Sequence, residues 1–408
     1  MAVKAQDVEI DWLGAQGDGV VELPGEPLYI RYALPGELWR FVDDKPPVLL
    51  RPHPKRAAPV CRYFGSCGGC DAQHMPDGLY AAWKRAIVVD AFRHRGLDAP
   101  VDDLFRVPLA SRRRIQVYAR RYRKNLHLGF YRPATHYIMN VIECPIAMPQ
   151  LVAALPALRE MLEPLLTGQA EAAIHMLATP AGVDVHMDFI YLDSAHKHYP
   201  RMAALGAQFG LARLTVDRDT LVLARQPILG FGGVDVAAPP DEFVQAVQAS
   251  EDEMVRLVLA ATAKAKRVAD LFCGLGTFTF PLARRARVLA VDESETSIAA
   301  LQTAARHAQG LKPIEAKVRD LFRMPMSARE LEGFDAVVFD PARSGAEDQA
   351  RQLARSKVRT VVAVSCNPGT LARDARILVD GGYTLDYVKP IDQFLFSHHV
   401  EAVALLRR

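Results

Sequence analysis

Two textures divide the chain. Through the first 238 residues apolar positions recur in short runs, many alternating with polar ones, and glycine or proline punctuates them. Val8-Glu9-Ile10-Asp11 alternates with the period of a strand and is broken by Gly14, Gly17 and Gly19. Further runs at 28–32 and 38–42 end at Pro35-Gly36 and Pro46-Pro47. Short strands with such turns over about 50 residues predict a small β-barrel. A helix is predicted at 77–95, where Tyr80, Trp83, Ile87, Val88 and Phe92 keep helical spacing. Hairpin material at 105–137, a helix at 150–166 and further sheet at 170–234 follow, and Pro239-Pro240 marks a linker. From 241 on, continuous apolar runs at 268–272, 288–292, 334–340 and 360–365 are separated by helical stretches. Strands buried on both faces read this way, so a mainly parallel, doubly wound sheet is predicted. The expected class is multidomain α/β: a small β-barrel at 1–57, a mostly β central domain at 58–238, and a Rossmann-like sheet at 239–408.

A chain of 408 residues fits two or three domains at roughly 150 residues each. With 50% hydrophobic and 24% charged residues, it is neither disordered nor fibrous. No run approaches the ~18–20 apolar residues of a membrane span. The start carries acids and no apolar run, unlike a secretory signal, so a cytoplasmic protein is expected. No segment points to a protein partner. Net charge is +3, yet the window 105–137 holds nine basic residues and no acid, leaving the remainder net acidic. Arg112, Arg113, Arg114, Arg120 and Arg121 lie there among Tyr118, Tyr122, Phe130 and Tyr131. Cations for phosphates beside rings for bases favour a nucleic acid over a merely solvated strand pair.

Chemistry concentrates after the second-half strands. Asp270-Leu271-Phe272-Cys273-Gly274-Leu275-Gly276-Thr277 places glycines at the end of a parallel strand, where backbone can approach a ligand. A dinucleotide loop would want glycine at position 279, which is Thr279. Asp340-Pro341-Ala342-Arg343 ends another strand; alone, its acid would read as a helix cap. Ser365-Cys366-Asn367-Pro368-Gly369 follows a third and exposes a thiol, whereas Cys273 reads as packing. Cys61, Cys67 and Cys70 are spaced C-x5-C-x2-C, with Cys144 far downstream. Four thiolates suit zinc or an iron–sulfur cluster, and spacing alone does not separate them.

Together these stretches resemble the RNA uracil-5-methyltransferases, over nearly the whole chain. The glycine loop, with Asp292 ending the next strand, is similar to the adenosylmethionine loop of class I methyltransferases. The resemblance implies cofactor contacts from Gln245, Phe272, Gly274, Gly276, Thr277, Asp292, Asp320 and Asp340. Thr277 and Asp320 stand where relatives commonly have Asn, and Asp292 where Glu is usual. Cys366 would add to uracil C6, and Glu401 would remove the C5 proton. The latter lies in Phe394-Leu395-Phe396-Ser397-His398-His399-Val400-Glu401, where Leu395 replaces a usual Pro and Ser397 a Thr. Cys61 to Cys70 resembles the element of one branch that binds a [4Fe–4S] cluster, which favours iron–sulfur over zinc and, by analogy with that branch, 23S ribosomal RNA over transfer RNA. Ala33-Leu34-Pro35-Gly36-Glu37 resembles the TRAM domain, an OB-like RNA-binding module. Rival readings are a transfer-RNA enzyme, an RNA cytosine-5-methyltransferase, which would carry a second Cys after Asp340-Pro341, and an RNA-binding iron–sulfur protein with a non-catalytic methyltransferase domain.

Overall fold

The computed structural model describes residues 5–42, 45–192 and 195–408. The opening residues 1–4, part of the start expected to lack a signal, lie outside them. Two three-stranded sheets form the N-terminal unit: Ala5–Glu9, Leu38–Val42 and Val48–Arg51 in one, Trp12–Leu13, Gly19–Val21 and Leu28–Ile30 in the other. They enclose one small core of Val8, Ile10, Val21, Ile30, Ala33 and Trp39. Glu37 is buried beneath it and fully partnered. Its carboxylate ion-pairs with Arg56 at 2.7 Å and accepts from Leu34 N, His53 N and Trp39 Nε1 at 3.0 Å each. A buried charge with this many donors ties the turn after Pro35 to the sheet.

A six-stranded sheet follows, built on the nine-residue strands Arg114–Tyr122, Glu171–Thr179 and Gly182–Ile190. Its apolar face packs under the helix Pro149–Leu162 through Leu151, Leu155, Leu158 and Met161. The stretch 170–234, expected to be mostly sheet, also contains a helix, Tyr199–Gln208. Met202 and Leu205 on that helix bury against the same core.

The seven-stranded sheet runs in the order Ile314–Val318, Arg287–Asp292, Arg267–Leu271, Ala336–Phe339, Thr360–Ser365, Glu401–Arg407, Thr384–Ile391. The first five are parallel, and Glu401–Arg407 runs antiparallel to both its neighbours, so the sheet is mixed. Alternate residues feed opposite faces. Ala269, Leu271, Val337, Phe339, Val361 and Ala363 meet the helices Glu347–Arg355 and Pro368–Asp380 on one side. Val268, Ala336, Val338, Val362 and Val364 meet Gln248–Ala261 on the other. Both faces are therefore covered, as continuous apolar strands require. The helix Asp77–Arg93, expected within the central segment, buries Val88 and Phe92 in the core of this sheet. The segment after it adds parallel bridges from Val101 to Val388 and Phe105 to Ile391 along the sheet edge. Among the described residues no helix is long and apolar enough to cross a membrane.

Candidate active site

The parallel strands end on one side of the sheet, and their carboxyl ends collect the acids. Phe272 leaves the strand with φ +61°, and its ring lies 5.2 Å from that of Phe322. Gly276 takes φ +100°, and a Cβ there would fall 2.7 Å from the Phe280 ring, so only glycine fits. Thr277 lies half-buried in the same turn. Asp292 sits across from it: Oδ2 accepts from Gly274 N at 2.8 Å and Oδ1 from Ser294 N at 2.9 Å. Each of these oxygens keeps a lone pair for a further donor. Asp320, just past the edge strand, accepts from Phe322 N and Arg323 N at 2.9 and 3.0 Å and so shapes the turn that holds Phe322. Asp270 lies fully buried below the loop, accepting from Thr279 Oγ1 at 2.6 Å. Burial first, then the charges of Asp340 and Asp292, push it up to about 7.

Cys366 occupies the turn between Thr360–Ser365 and Pro368–Asp380. Asn367 staples that turn: its N donates to Ser365 Oγ at 3.1 Å, its Nδ2 to Arg343 O at 3.0 Å, and its Oδ1 accepts from Gly369 N at 3.0 Å. The last bond caps the helix. Burial, reinforced by Glu401 and Asp340 and opposed by Arg343, pushes the thiol up to about 12. The thiol opens onto a cleft of about 860 Å³, whose walls include Arg343 and His398 and, from the N-terminal unit, Trp12 and Tyr29.

Glu401 heads the antiparallel strand and is 2% exposed. Burial and the neighbouring Asp340 hold its carboxyl well above the usual range, and burial likewise raises Asp340. A chain of amides joins the two acids. Gln245 Nε2 donates to Asp340 Oδ2 at 2.8 Å; Gln393 Nε2 donates both to Gln245 Oε1 at 2.8 Å and to Glu401 Oε2 at 3.0 Å. Glu401 Oε1 and Gln393 Oε1 are buried without partners. Sequence reasoning missed Gln393 altogether. The loop before Glu401 is pinned from helix Asp77–Arg93. Lys84, fully buried, pairs with Asp392 at 2.9 Å and donates to the carbonyls of Phe394 and His399. Tyr80 donates to Asp392 at 2.7 Å and accepts from Phe396 N at 2.8 Å. Leu395 fills an apolar group with Leu34, Met75, Tyr80 and Trp83.

Beside this loop, Cys61, Cys67, Cys70 and Cys144 line one cavity of about 370 Å³, together with Phe394, Ser397 and His398. Burial pushes the Cys67 thiol up to about 11 and Cys70 up to about 12, so a cation is needed to hold them as thiolates. Among the described residues no three of these sulfurs lie within 4.8 Å of one another. A zinc ion with sulfur at about 2.3 Å draws four sulfurs to about 3.8 Å apart. Gly68 permits the tight wrap: a Cβ there would lie 2.9 Å from Tyr131 O. Asp71 N and Ala72 N donate to Phe396 O at 2.7 and 3.0 Å, and Asp71 meets His398 Nδ1 at 2.8 Å. The cysteine segment and the loop of Glu401 thus form one structure.

The arginines of the basic window fall in different surroundings. Arg113 is 6% exposed and spends its guanidinium inside: on Gln245 O at 2.9 Å, on Glu251 at 2.6 Å and on Gln248. Arg121 donates to Leu166 O at 2.8 Å and Lys124 O at 3.0 Å and pairs with Glu163 at 3.0 Å. Both were expected on phosphates; Arg113 is buried among these partners, and Arg121 is half-buried at the edge of its sheet. Arg112 faces the cysteine cavity and lies 5.7 Å over the Phe394 ring. Arg114 stacks 5.3 Å over the exposed Phe243, and Arg120 stands 3.8 Å from Glu171. His175, its Nδ1 in contact with Asp241, fastens the six-stranded sheet to the segment that delivers Gln245.

A sheet of this order, with a glycine turn after its central strand and a thiol and carboxylate meeting at its carboxyl edge, is that of a methyltransferase. The tRNA (Uracil-5-)-methyltransferase family model matches residues 237–408. An RNA methyltransferase of Agrobacterium fabrum is 44% identical over 416 residues, covering 100% of both chains. The 23S rRNA (uracil(1939)-C(5))-methyltransferase RlmD of Aeromonas salmonicida is 32% identical, covering 98% of this chain and 95% of its own. The crystal structure of Pyrococcus abyssi tRNA (uracil-54, C5)-methyltransferase with S-adenosyl-L-homocysteine shares the fold: TM-score 0.73, 22% identity, 98% and 99% of the two chains. The chain belongs to the RNA (uracil-5-)-methyltransferase family.

Proposed function

We propose that this protein methylates C5 of a uridine in 23S ribosomal RNA, with Cys366 as nucleophile and Glu401 as base. The observation that carries the reading is that the half-buried Cys366 thiol feels the charge of the buried Glu401, one of whose oxygens has no partner. Cys366 as thiolate adds to uracil C6; the S–C6 bond forms, and the C5=C6 electron pair makes C5 nucleophilic. Adenosylmethionine, when bound, supplies the electrophilic methyl group that C5 takes. Glu401 then removes the C5 proton, the C–H electron pair restores C5=C6, and the C6–S pair returns to Cys366. Gly274 and Gly276 let backbone approach the cofactor, Asp292 offers its lone pairs to ribose hydroxyls, and Phe272 with Asp320 lines the crevice beyond. Gln245, Thr277 and Asp340 complete it. The family model's name points to transfer RNA, while the end-to-end likeness to an enzyme named for 23S rRNA supports the ribosomal substrate.

Cys61, Cys67, Cys70 and Cys144 would hold a [4Fe–4S] cluster, which supplies a four-point cross-link beside the loop of Glu401. That Cys61, Cys67, Cys70 and Cys144 line one cavity supports a shared centre, and the resemblance of Cys61 to Cys70 favours the cluster over zinc. Anaerobically purified protein should carry iron and sulfide in matching amounts; colourless protein with stoichiometric zinc would decide for zinc. In this reading residues 1–57 and 58–238 grip RNA, the first through a TRAM-like unit, and residues 239–408 carry out the chemistry in the cytoplasm. Mass-spectrometric mapping of 5-methyluridine in RNA from cells with and without the protein tests the function. Loss of one 5-methyluridine from 23S rRNA is expected. Loss confined to transfer RNA would overturn the substrate, and no loss the activity.

A further inference from the structure

The amide chain behind Glu401 distinguishes its two oxygens, and we propose that Gln393 is the positioning residue that reserves Oε1 for the C5 proton. This rests on Glu401 being the base. Gln245 commits its amide hydrogens toward Asp340 and therefore turns its oxygen to Gln393. Gln393 must answer with its NH2 group, whose second hydrogen goes to Glu401 Oε2. Orientation is thus handed along from Asp340 to Glu401 by two groups that do not titrate. Gln245, Gln393 and Glu401 are buried and Asp340 is half-buried, so water has little access to the bonds nearest the base.

The consequence is an asymmetric base. Oε2 is held by a donor, and Oε1 is buried with none. A buried acceptor left unpaired is costly, and protonation relieves it. When the C5–H bond breaks, its proton goes to Oε1, its electron pair restores C5=C6, and Cys366 leaves C6 with the C–S pair. Donation from Gln393 to Oε2 also favours the ionised carboxylate before that step, against the burial and the Asp340 charge that raise it. The backbone of Gln393 is fixed independently of its amide, because the adjacent Asp392 is clamped by Lys84 and Tyr80. Removing the amide should therefore leave the loop standing.

The test is a rapid-quench comparison of wild type with Gln393→Leu, using a labelled methyl donor and an RNA fragment containing the target uridine. Formation of the methylated adduct and its elimination are timed separately across pH. The variant should form the adduct but eliminate about tenfold more slowly or worse, as expected for losing a bond to a charged group. The pH dependence of elimination should move to the alkaline side. Melting temperature and cofactor affinity, read on the same preparations, expose a purely structural role. Both steps slowed by one factor with an unmoved pH profile, or elimination at the wild-type rate, would overturn the proposal. Should Gln393→Leu fail to fold, Gln393→Glu keeps the shape while removing the donor, and the same outcomes apply. Glu401→Gln runs in parallel: no methylated adduct from it would mean that the base itself is misassigned, whatever Gln393 does.

Discussion

The basic hairpin and the acidic crevice handle charge in opposite ways. On the hairpin, Arg113 and Arg121 find acids and carbonyls from distant segments and are satisfied within the fold. In the crevice, burial and the charge of Asp340 raise both Asp270 and Glu401, and buried oxygens of Asp270 and Glu401 have no partner. Partnered charges brace a structure; buried, unpartnered ones mark a place built for a substrate. The densest charge in the sequence is thus partly scaffold, while the reactive groups are sparse.

The sharpest break in this comparison is Cys366→Ala, which should abolish both the covalent RNA complex and methyl transfer, as gel electrophoresis under denaturing conditions would reveal. The sign of the pH effect follows from the thiol. Raised to about 12, it is mostly protonated at neutral pH. Adduct formation in a single turnover should therefore rise with pH, by up to about tenfold per unit while the thiolate remains scarce. A flat profile from pH 6 to 9 would mean the thiol is not the titrating nucleophile.

Next comes Arg113→Met, which strands Glu251 in a buried site. Breaking a buried pair by removing one partner costs about 3–5 kcal/mol, so denaturant unfolding should register a large loss. The salt dependence of RNA binding should hardly change, since Arg113 does not face solvent. A normal unfolding midpoint with a flattened salt slope would restore the phosphate role. Asp292→Ala should weaken adenosylmethionine binding by about 1–3 kcal/mol, measured calorimetrically; unchanged affinity would remove Asp292 from the cofactor site. The smallest effect belongs to Arg120→Glu. Losing a single phosphate contact should lower the slope of log affinity against log salt by about one.

What the sequence discloses depends on how far away each residue's partners lie. The run Thr360–Ser365 and the Asn-Pro-Gly turn after it are local, so a thiol displayed past a buried strand is legible from the residues alone. The same holds for the Gly-x-Gly turn and the start of the helix at Asp77. Glu401 is not: its strand is buried from the first residue, has no alternation, and offers only a charged residue near the end of the chain. Only resemblance singled it out. Gln393 is invisible because its two partners lie 148 and 8 residues away. The partner of Arg113 is hidden for the same reason, since Glu251 sits 138 residues away. The four cysteines announce a centre by number, while the room between them is a property of the folded cavity.

One measurement bears most directly on the chemistry assigned to this crevice: the fate of RNA incubated with the Glu401→Gln variant and a labelled methyl donor. With Cys366 intact and the base disabled, addition and methyl transfer should proceed and elimination should stall. An RNA–protein adduct carrying the methyl label should survive denaturing electrophoresis, and it should vanish when Cys366→Ala is added. A variant that loses activity without ever accumulating that labelled adduct would contradict Glu401 as the base and make it a structural carboxylate.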